Sequence, residues 1–298
     1  MTDPQPESLV KRLARYGIHP AKPYGQHFLL DRHYLGKLIE PPELAEVRTI
    51  LEVGPGPGNL TELLVNTGTN VISVEIDERF ARLLTDRFGQ AANFRLFQGD
   101  ILAKGGLNPE VTALLRERWD RPWALVSNLP YQVGTVVIVE VLHLPVRPAV
   151  VCVMVQREVA ARLAAKAGGK DYSALSVLAQ AYMEVRRLAV VPPGAFWPPP
   201  KVDSAIVKMT ARPEAAVRDP AGFRDMVNLM FQHRRKTLRS GFLGRLGTDL
   251  RRRYEQAFEE MGIDPAKRAE QLDIYDFIGL GNRIAALGGG GCSDAEPQ

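Results

Sequence analysis

The sequence is short of cysteine, of long apolar runs and of any strong excess of one charge. Each shortage removes a class of protein. Two cysteines in 298 residues, Cys152 inside an apolar run and Cys292 in a glycine-rich tail, exclude a disulfide scaffold and leave no cysteine cluster for a metal. The longest uninterrupted apolar stretch runs from Ala149 to Val155, far below the ~20 residues of a membrane helix. The first eight residues hold two acids, Asp3 and Glu7, and no apolar segment, so no secretory leader is expected and a cytoplasmic location is. No internal repeat recurs. With 38 Lys+Arg against 34 Asp+Glu the formal net charge is only +4, which hints at an anionic partner without naming one. What remains is ordinary globular composition, 45% apolar and 24% charged. At about 150 residues per domain, the length suits two domains.

From Thr49 to Gln156, short apolar runs alternate with amphipathic stretches. Strands are expected at 49–53, 71–76, 94–97, 123–126 and 149–155, with helices at 60–65, at 78–88 and around Glu140. That order predicts an α/β fold, a mostly parallel sheet with helices on both faces. Two more strands are expected at 183–191 and 202–209, separated by a proline-rich turn. Arg212-Pro213 and Asp219-Pro220 then interrupt the chain, and 223–280 carries helical periodicity alone. The division predicted is a basic N-terminal arm at 1–21, an α/β domain at 22–211, a small all-helical domain at 212–287 and a low-complexity tail at 288–298. The net charge conceals two basic blocks. Lys11 to Lys37 carries six bases and one acid, and Arg224 to Arg253 carries nine bases and two acids. A single run of this kind is ordinarily a solvated face, but two of like sign flanking one domain point to nucleic acid.

The segment Glu52-Val53-Gly54-Pro55-Gly56-Pro57-Gly58-Asn59 leaves a predicted strand and opens a predicted helix. Its spacing is E-x-G-x-G-x-G. A dehydrogenase fingerprint would require glycine at 59, and no Gly-Lys-Ser/Thr follows to make a P-loop. Glu75 ends the next strand, 21 residues after Gly54, where an acid accepts ribose hydroxyls in dinucleotide folds. Asp100 ends the third strand, placed to accept a proton from an adenine amine. Taken singly, such acids are more often caps or turn residues, and Asp77 and Glu78 fit the first turn of the following helix. In order on successive strand ends, the set resembles the class I S-adenosylmethionine-dependent methyltransferases. That resemblance implies a Rossmann-like sheet and S-adenosylmethionine as cofactor.

The fourth strand ends in Asn128-Leu129-Pro130-Tyr131. An exocyclic adenine amine is a weak nucleophile because its lone pair is delocalised into the ring. The Asn128 amide oxygen and the Leu129 carbonyl are candidates to accept its two N–H groups and free that pair. Pro130 sets the turn, and Tyr131 offers a face for base stacking. Alone, Asn-x-Pro is equally a strand-ending turn. Together with Tyr24-Gly25-Gln26-His27-Phe28-Leu29, with Phe196-Trp197-Pro198-Pro199-Pro200-Lys201-Val202-Asp203-Ser204, and with Phe231 to Leu238 and Arg268 to Leu272, it resembles the ribosomal RNA adenine N6-dimethyltransferases, most nearly the small-subunit group. The resemblance covers roughly residues 20 to 280.

By position, the resemblance implies cofactor contacts at Gln26, His27, Leu29, Gly54, Gly56, Glu75, Asp100, Ile101 and Asn128. It implies a reacting site of Asn128, Leu129, Pro130 and Tyr131, with Phe196 stacking on the target base. RNA contacts fall to Lys201, Arg234, Arg235, Lys236 and Arg239, and no metal is implied. The activity implied is dimethylation of two adjacent adenosines in the 3′-terminal hairpin of small-subunit ribosomal RNA, by a monomer acting on the immature subunit. Gln132-Val133-Gly134 departs from the Asn-Ile-Ser common at that place in the family. Two other readings stay open on sequence: a relative that methylates large-subunit RNA, and a non-catalytic RNA-binding factor on the same scaffold.

Overall fold

Seven segments rich in β-branched and apolar residues form one sheet in the computed structural model, which describes residues 13–18, 27–118, 121–212 and 217–287. The strands are β1 (Thr49–Val53), β2 (Asn70–Glu75), β3 (Phe94–Gln98), β4 (Trp123–Asn128), β5 (Val150–Gln156), β6 (Met183–Val191) and β7 (Ser204–Ala211). Their spatial order is β3-β2-β1-β4-β5-β7-β6. The first five pair in parallel, and β7 runs antiparallel to β5 with Ser204 opposite Gln156. β1 is buried at every position and β5 at all but its last, as expected of central strands covered on both faces. The largest shift from expectation is at β7, which begins at Ser204 rather than Val202. There the Asp203 carbonyl accepts from the Arg157 amide, and Val202 is left exposed.

In this half, α1 (Arg32–Ile39) precedes the sheet, and α2 (Asn59–Asn66), α3 (Glu78–Phe88), α4 (Pro109–Arg116), α5 (Gly134–Leu142) and α6 (Arg157–Leu163) each follow one of its first five strands. Three start on side-chain caps. Asp31, Asp77 and Asn108 accept from the amides of His33, Arg79 and Glu110 at 2.9–3.0 Å. Asp77 is therefore the cap that its position suggested. Leu38, Leu64, Leu84, Val126 and Met154 belong to one fully buried cluster of this half.

The chain divides into two units, 1–160 with 186–210, and 161–185 with 211–298. The two units meet within one residue of the expected 211/212 division, but residues 161–185, expected in the α/β domain, group with the C-terminal helices. The reason is packing that composition does not display. The Gly168 amide donates to the Glu270 carbonyl at 2.7 Å, and the Tyr172 ring meets Phe231 edge-on at 6.0 Å. The helices of this unit are α7 (Ala174–Gln180), α8 (Pro220–Gln232), α9 (Leu238–Gly241), α10 (Thr248–Met261) and α11 (Ile274–Ala286). Phe223, Tyr254, Phe258 and Phe277 fill its interior.

Of the predicted arm, only 13–18 is described; 1–12, 19–21 and the tail 288–298 lie outside the described residues. Leu13 and Ile18 are buried in one cluster with Phe28, Phe80 and Leu83, and the Tyr16 hydroxyl bonds Asp86 at 2.8 Å. Tyr16 is held in its protonated form by that hydrogen bond, so its pKa is raised. This part of the arm is core. Leu13→Ala should therefore cost about 2–5 kcal/mol, the range for removing a buried leucine. Urea unfolding measures it, and an unchanged midpoint would show the segment to be only lightly docked.

Candidate functional site

Strand order reverses between β1 and β4, and a parallel sheet opens a crevice beyond its carboxyl ends at such a point. A cavity of about 330 Å³ lies there, lined by the β1–α2 loop, the ends of β2, β3 and β4, and residues 27–29. Gly54 and Gly56 have φ of +67° and +53°, in the left-handed region that side chains rarely adopt. They are also crowded. A Cβ on Gly54 would sit 2.8 Å from Pro130 Cγ, and one on Gly56 would sit 3.0 Å from the Phe28 ring. Arg87 grips the loop from behind, donating to the Pro57 carbonyl and, at 2.7 Å, to Glu62.

Three carboxyl groups line the cavity, and among the described residues no lysine or arginine does. Glu75 accepts from the Gly56 amide at 3.0 Å and the Asp77 amide at 2.9 Å, one on each oxygen. Burial raises its pKa above the usual carboxylate range, and those amides oppose the shift. Asp100 is exposed and accepts from the Leu102 amide at 2.9 Å; Ile101 beside it is buried. Glu52 is the third. It is 1% exposed, and one oxygen accepts from Thr61 and Ser73 at 2.8 and 2.7 Å. The other, Oε1, has no partner among the described residues. Burial pushes the Glu52 carboxyl up to about 7.

The Asn-Leu-Pro-Tyr loop leaves β4. The Leu129 amide bonds the Met154 carbonyl at 3.1 Å, and the Pro130 carbonyl takes the Gly134 amide at 2.9 Å. No hydrogen bond reaches the Leu129 carbonyl among the described residues. Asn128 donates through Nδ2 to the His27 carbonyl at 3.3 Å. Only the amine end of an amide can make that bond, so the amide oxygen is the end left to accept. His27 donates through Nδ1 to the Pro198 carbonyl at 2.7 Å, and its ring lies 5.8 Å from that of Tyr131. Asn59 donates to the Leu29 carbonyl at 3.0 Å. Phe28 and Leu29 also pair antiparallel with Trp197 and Phe196. Side chains from two loops thus hold residues 27–29 across the cavity.

The structure brings His27, Leu29, Gly54, Gly56, Glu75, Asp100, Ile101, Asn128, Leu129, Pro130 and Tyr131 to this cavity. Gln26 lies outside the described residues. Phe196 does not reach it. Its position opposite Leu29 turns the ring into the buried cluster with Val191 and Ala195, where it is 4% exposed. In the second unit Arg235, Lys236 and Arg239 are exposed, as is Lys201 in the first. Arg234 is half-buried: its guanidinium pairs with Glu270 and donates to the Gly169 carbonyl at 3.1 Å.

Sequence reasoning passed over Glu52, Asn59 and Ser204. Glu52 stood inside the quoted loop pattern, but nothing local marks a strand glutamate as buried. Ser204 bonds the Tyr131 hydroxyl at 2.6 Å across 73 residues of chain.

The family model for ribosomal RNA adenine dimethylase matches residues 19–286. The ribosomal RNA small subunit methyltransferase A of Geobacillus thermodenitrificans is 39% identical over 281 residues, 92% of this chain and 94% of that protein. Its namesake in Geobacter metallireducens is 37% identical over 279 residues, 92% of this chain and 98% of that one. Among solved structures, a dimethyladenosine transferase from Plasmodium falciparum matches with a TM-score of 0.72 at 24% identity, over 88% of this chain and 98% of its own. The 23S rRNA methyltransferase ErmE matches with a TM-score of 0.61 at 26% identity, over 87% of this chain and 99% of its own.

Glu52 sets a pH dependence. Between its unfolded pKa of 4.5 and its folded value of about 7, the native state holds a proton that the unfolded state has released. Stability therefore falls as pH rises through that window, by up to about 1.4 kcal/mol per unit. In Glu52→Gln, whose amide oxygen still accepts from Thr61 and Ser73, the decline in melting temperature from pH 5 to 8 should flatten. Parallel curves for the two proteins would assign the pH dependence elsewhere.

Proposed function

The chain belongs to the ribosomal RNA adenine dimethylase family, and from that premise we propose that it transfers methyl groups from S-adenosylmethionine to N6 of two adjacent adenosines in the 3′-terminal hairpin of small-subunit ribosomal RNA. The observation that carries this reading is the tether of the Asn128 amine end to the His27 carbonyl. It leaves the Asn128 amide oxygen and the Leu129 carbonyl as two acceptors at one cavity.

The donor set fits the cofactor. A cavity with Glu52, Glu75 and Asp100 in its wall and no lysine or arginine among the described residues that line it suits a cation rather than a pyrophosphate. Glu75 and Asp100 would hold the ribose and the adenine, and the left-handed loop at Gly54 and Gly56 would admit the ligand against backbone. When bound, the cofactor supplies an electrophilic methyl group on its sulfonium. The chain's own part is positional and electrostatic. Asn128 Oδ1 and the Leu129 carbonyl accept the two N–H groups of the adenine amine and draw its lone pair out of conjugation. Pro130, without an N–H, holds that carbonyl outward. Tyr131 supplies the stacking face. Once one methyl is on, one N–H remains, and a single acceptor suffices for the second transfer.

Arg235, Lys236, Arg239 and Lys201 offer phosphate contacts, so affinity for RNA should fall steeply with salt. The substrate proposed is the immature small subunit, met in the cytoplasm by a monomer. Relatives at 37–39% identity carry the small-subunit name, against 26% for ErmE, which favours the small subunit over the large.

Incubation with immature small subunits and methyl-labelled cofactor tests the proposal, and label is expected in the 3′-terminal hairpin adenosines. Asn128→Ala should lower methylation at least 100-fold, a loss of about 3 kcal/mol in transition-state stabilisation, while RNA affinity stays within a factor of two or so. Label in large-subunit RNA instead would redirect the substrate, and loss of RNA affinity in Asn128→Ala would misplace the site.

A further inference from the structure

Ser204 is 0% exposed, at the first position of β7, and its hydroxyl lies 2.6 Å from that of Tyr131. Neither residue is there by local necessity. Tyr131 sits in the loop after β4, and Ser204 arrives from 73 residues further along. The β7 end is itself fixed. Ser204 pairs with Gln156 across the ladder, and Asp203 accepts from the Arg157 amide at 3.0 Å and from its guanidinium at 3.1 Å. A buried hydroxyl without a partner is costly, and in this structure the Tyr131 phenol is the partner of Ser204. On the opposite side, the His27 ring stands 5.8 Å from the Tyr131 ring, inclined by 34°.

We propose that Ser204 is the positioning residue of the reacting site, aiming the Tyr131 ring so that the target adenine stacks with its amine at Asn128 and Leu129. The inference rests on the function proposed above. The phenolic oxygen lies on the axis about which the ring spins. A hydrogen bond there fixes where the ring points, and spin about the axis is left to its neighbours. Ser204 thus governs the direction of the stacking face without touching base or cofactor. A displaced ring would still stack on a base, which keeps RNA affinity. It would hold the amine off its acceptors, which lowers the rate.

The test is a double-mutant cycle in the full-length protein with small-subunit RNA: Ser204→Ala, Tyr131→Phe and the two combined, with Ser204→Thr as the conservative variant. Each single change should lower kcat about three- to tenfold with KM for RNA and for the cofactor within about twofold. The double variant should be no slower than either single one, since both delete the same bond. Ser204→Thr should recover most of the rate. A readout independent of turnover is fluorotyrosine NMR: the Tyr131 resonance, assigned by its loss in Tyr131→Phe, should shift or broaden in Ser204→Ala and return in Ser204→Thr. Additive losses, a Tyr131→Phe protein at full rate, or an unmoved Tyr131 resonance would each overturn the assignment. If Ser204→Ala does not fold, Tyr131→Phe deletes the bond with Ser204 intact and decides the matter through kcat alone. Wild-type protein with no methylation of this RNA would overturn the proposed function, while the resonance would still report on the bond.

Discussion

Two loops leave adjacent parallel strands at one sheet edge, and the site depends on how closely they approach. The glycine loop follows β1 and the Asn-Leu-Pro-Tyr loop follows β4. At Gly54 the separation leaves no room for a single methyl group beside Pro130. Rossmann-like sheets place a crevice at such a reversal of strand order whatever their chemistry. Here the crevice is closed on its third side by residues 27–29, tied down by Asn59 from one loop and Asn128 from the other. The same amide that anchors the segment is thereby left with its oxygen free to accept. One end of the Asn128 side chain anchors residues 27–29, and the other is the end the proposed function uses.

The cavity is also where the fold accepts an energetic penalty. Glu52 is buried with one oxygen lacking a hydrogen bond, and its carboxyl titrates near neutrality as a result. Three carboxyls without a lysine or arginine among the described lining residues make a region of negative potential. Such an arrangement costs stability in the free protein and favours a cationic ligand. Arg235, Lys236 and Arg239 are exposed on the second unit, and over the whole sequence 38 Lys+Arg stand against 34 Asp+Glu, so the small net charge hides local excesses of either sign. For the function proposed above, a sulfonium cofactor and an RNA backbone would call for potentials of opposite sign at their two surfaces.

The sheet was readable because its strands are runs of valine, leucine and isoleucine broken by glycine and proline, and each boundary fell within two residues. The main displacement, at Val202 and Asp203, arises from the contact of Asp203 with Arg157, which no window of sequence contains. The site was readable to the extent that its residues sit on strand ends in chain order: Gly54, Glu75, Asp100 and Asn128. The pairing of Phe196 with Leu29 and the ion pair of Arg234 with Glu270 join segments far apart in the chain, and no local window of sequence displays either.

The sequence by itself determined the α/β order, the glycine loop, the acids on successive strand ends and the Asn-Leu-Pro-Tyr turn. These depend on periodicity, backbone freedom and local spacing, which are properties of neighbours in the chain. Tertiary structure alone decided that residues 161–185 join the C-terminal helices, that Glu52 is stranded without a full set of hydrogen bonds, and that Ser204 meets Tyr131. Each of those depends on which distant segment fills a given space, and hydrogen bonds between such segments are satisfied only once the chain has closed around them.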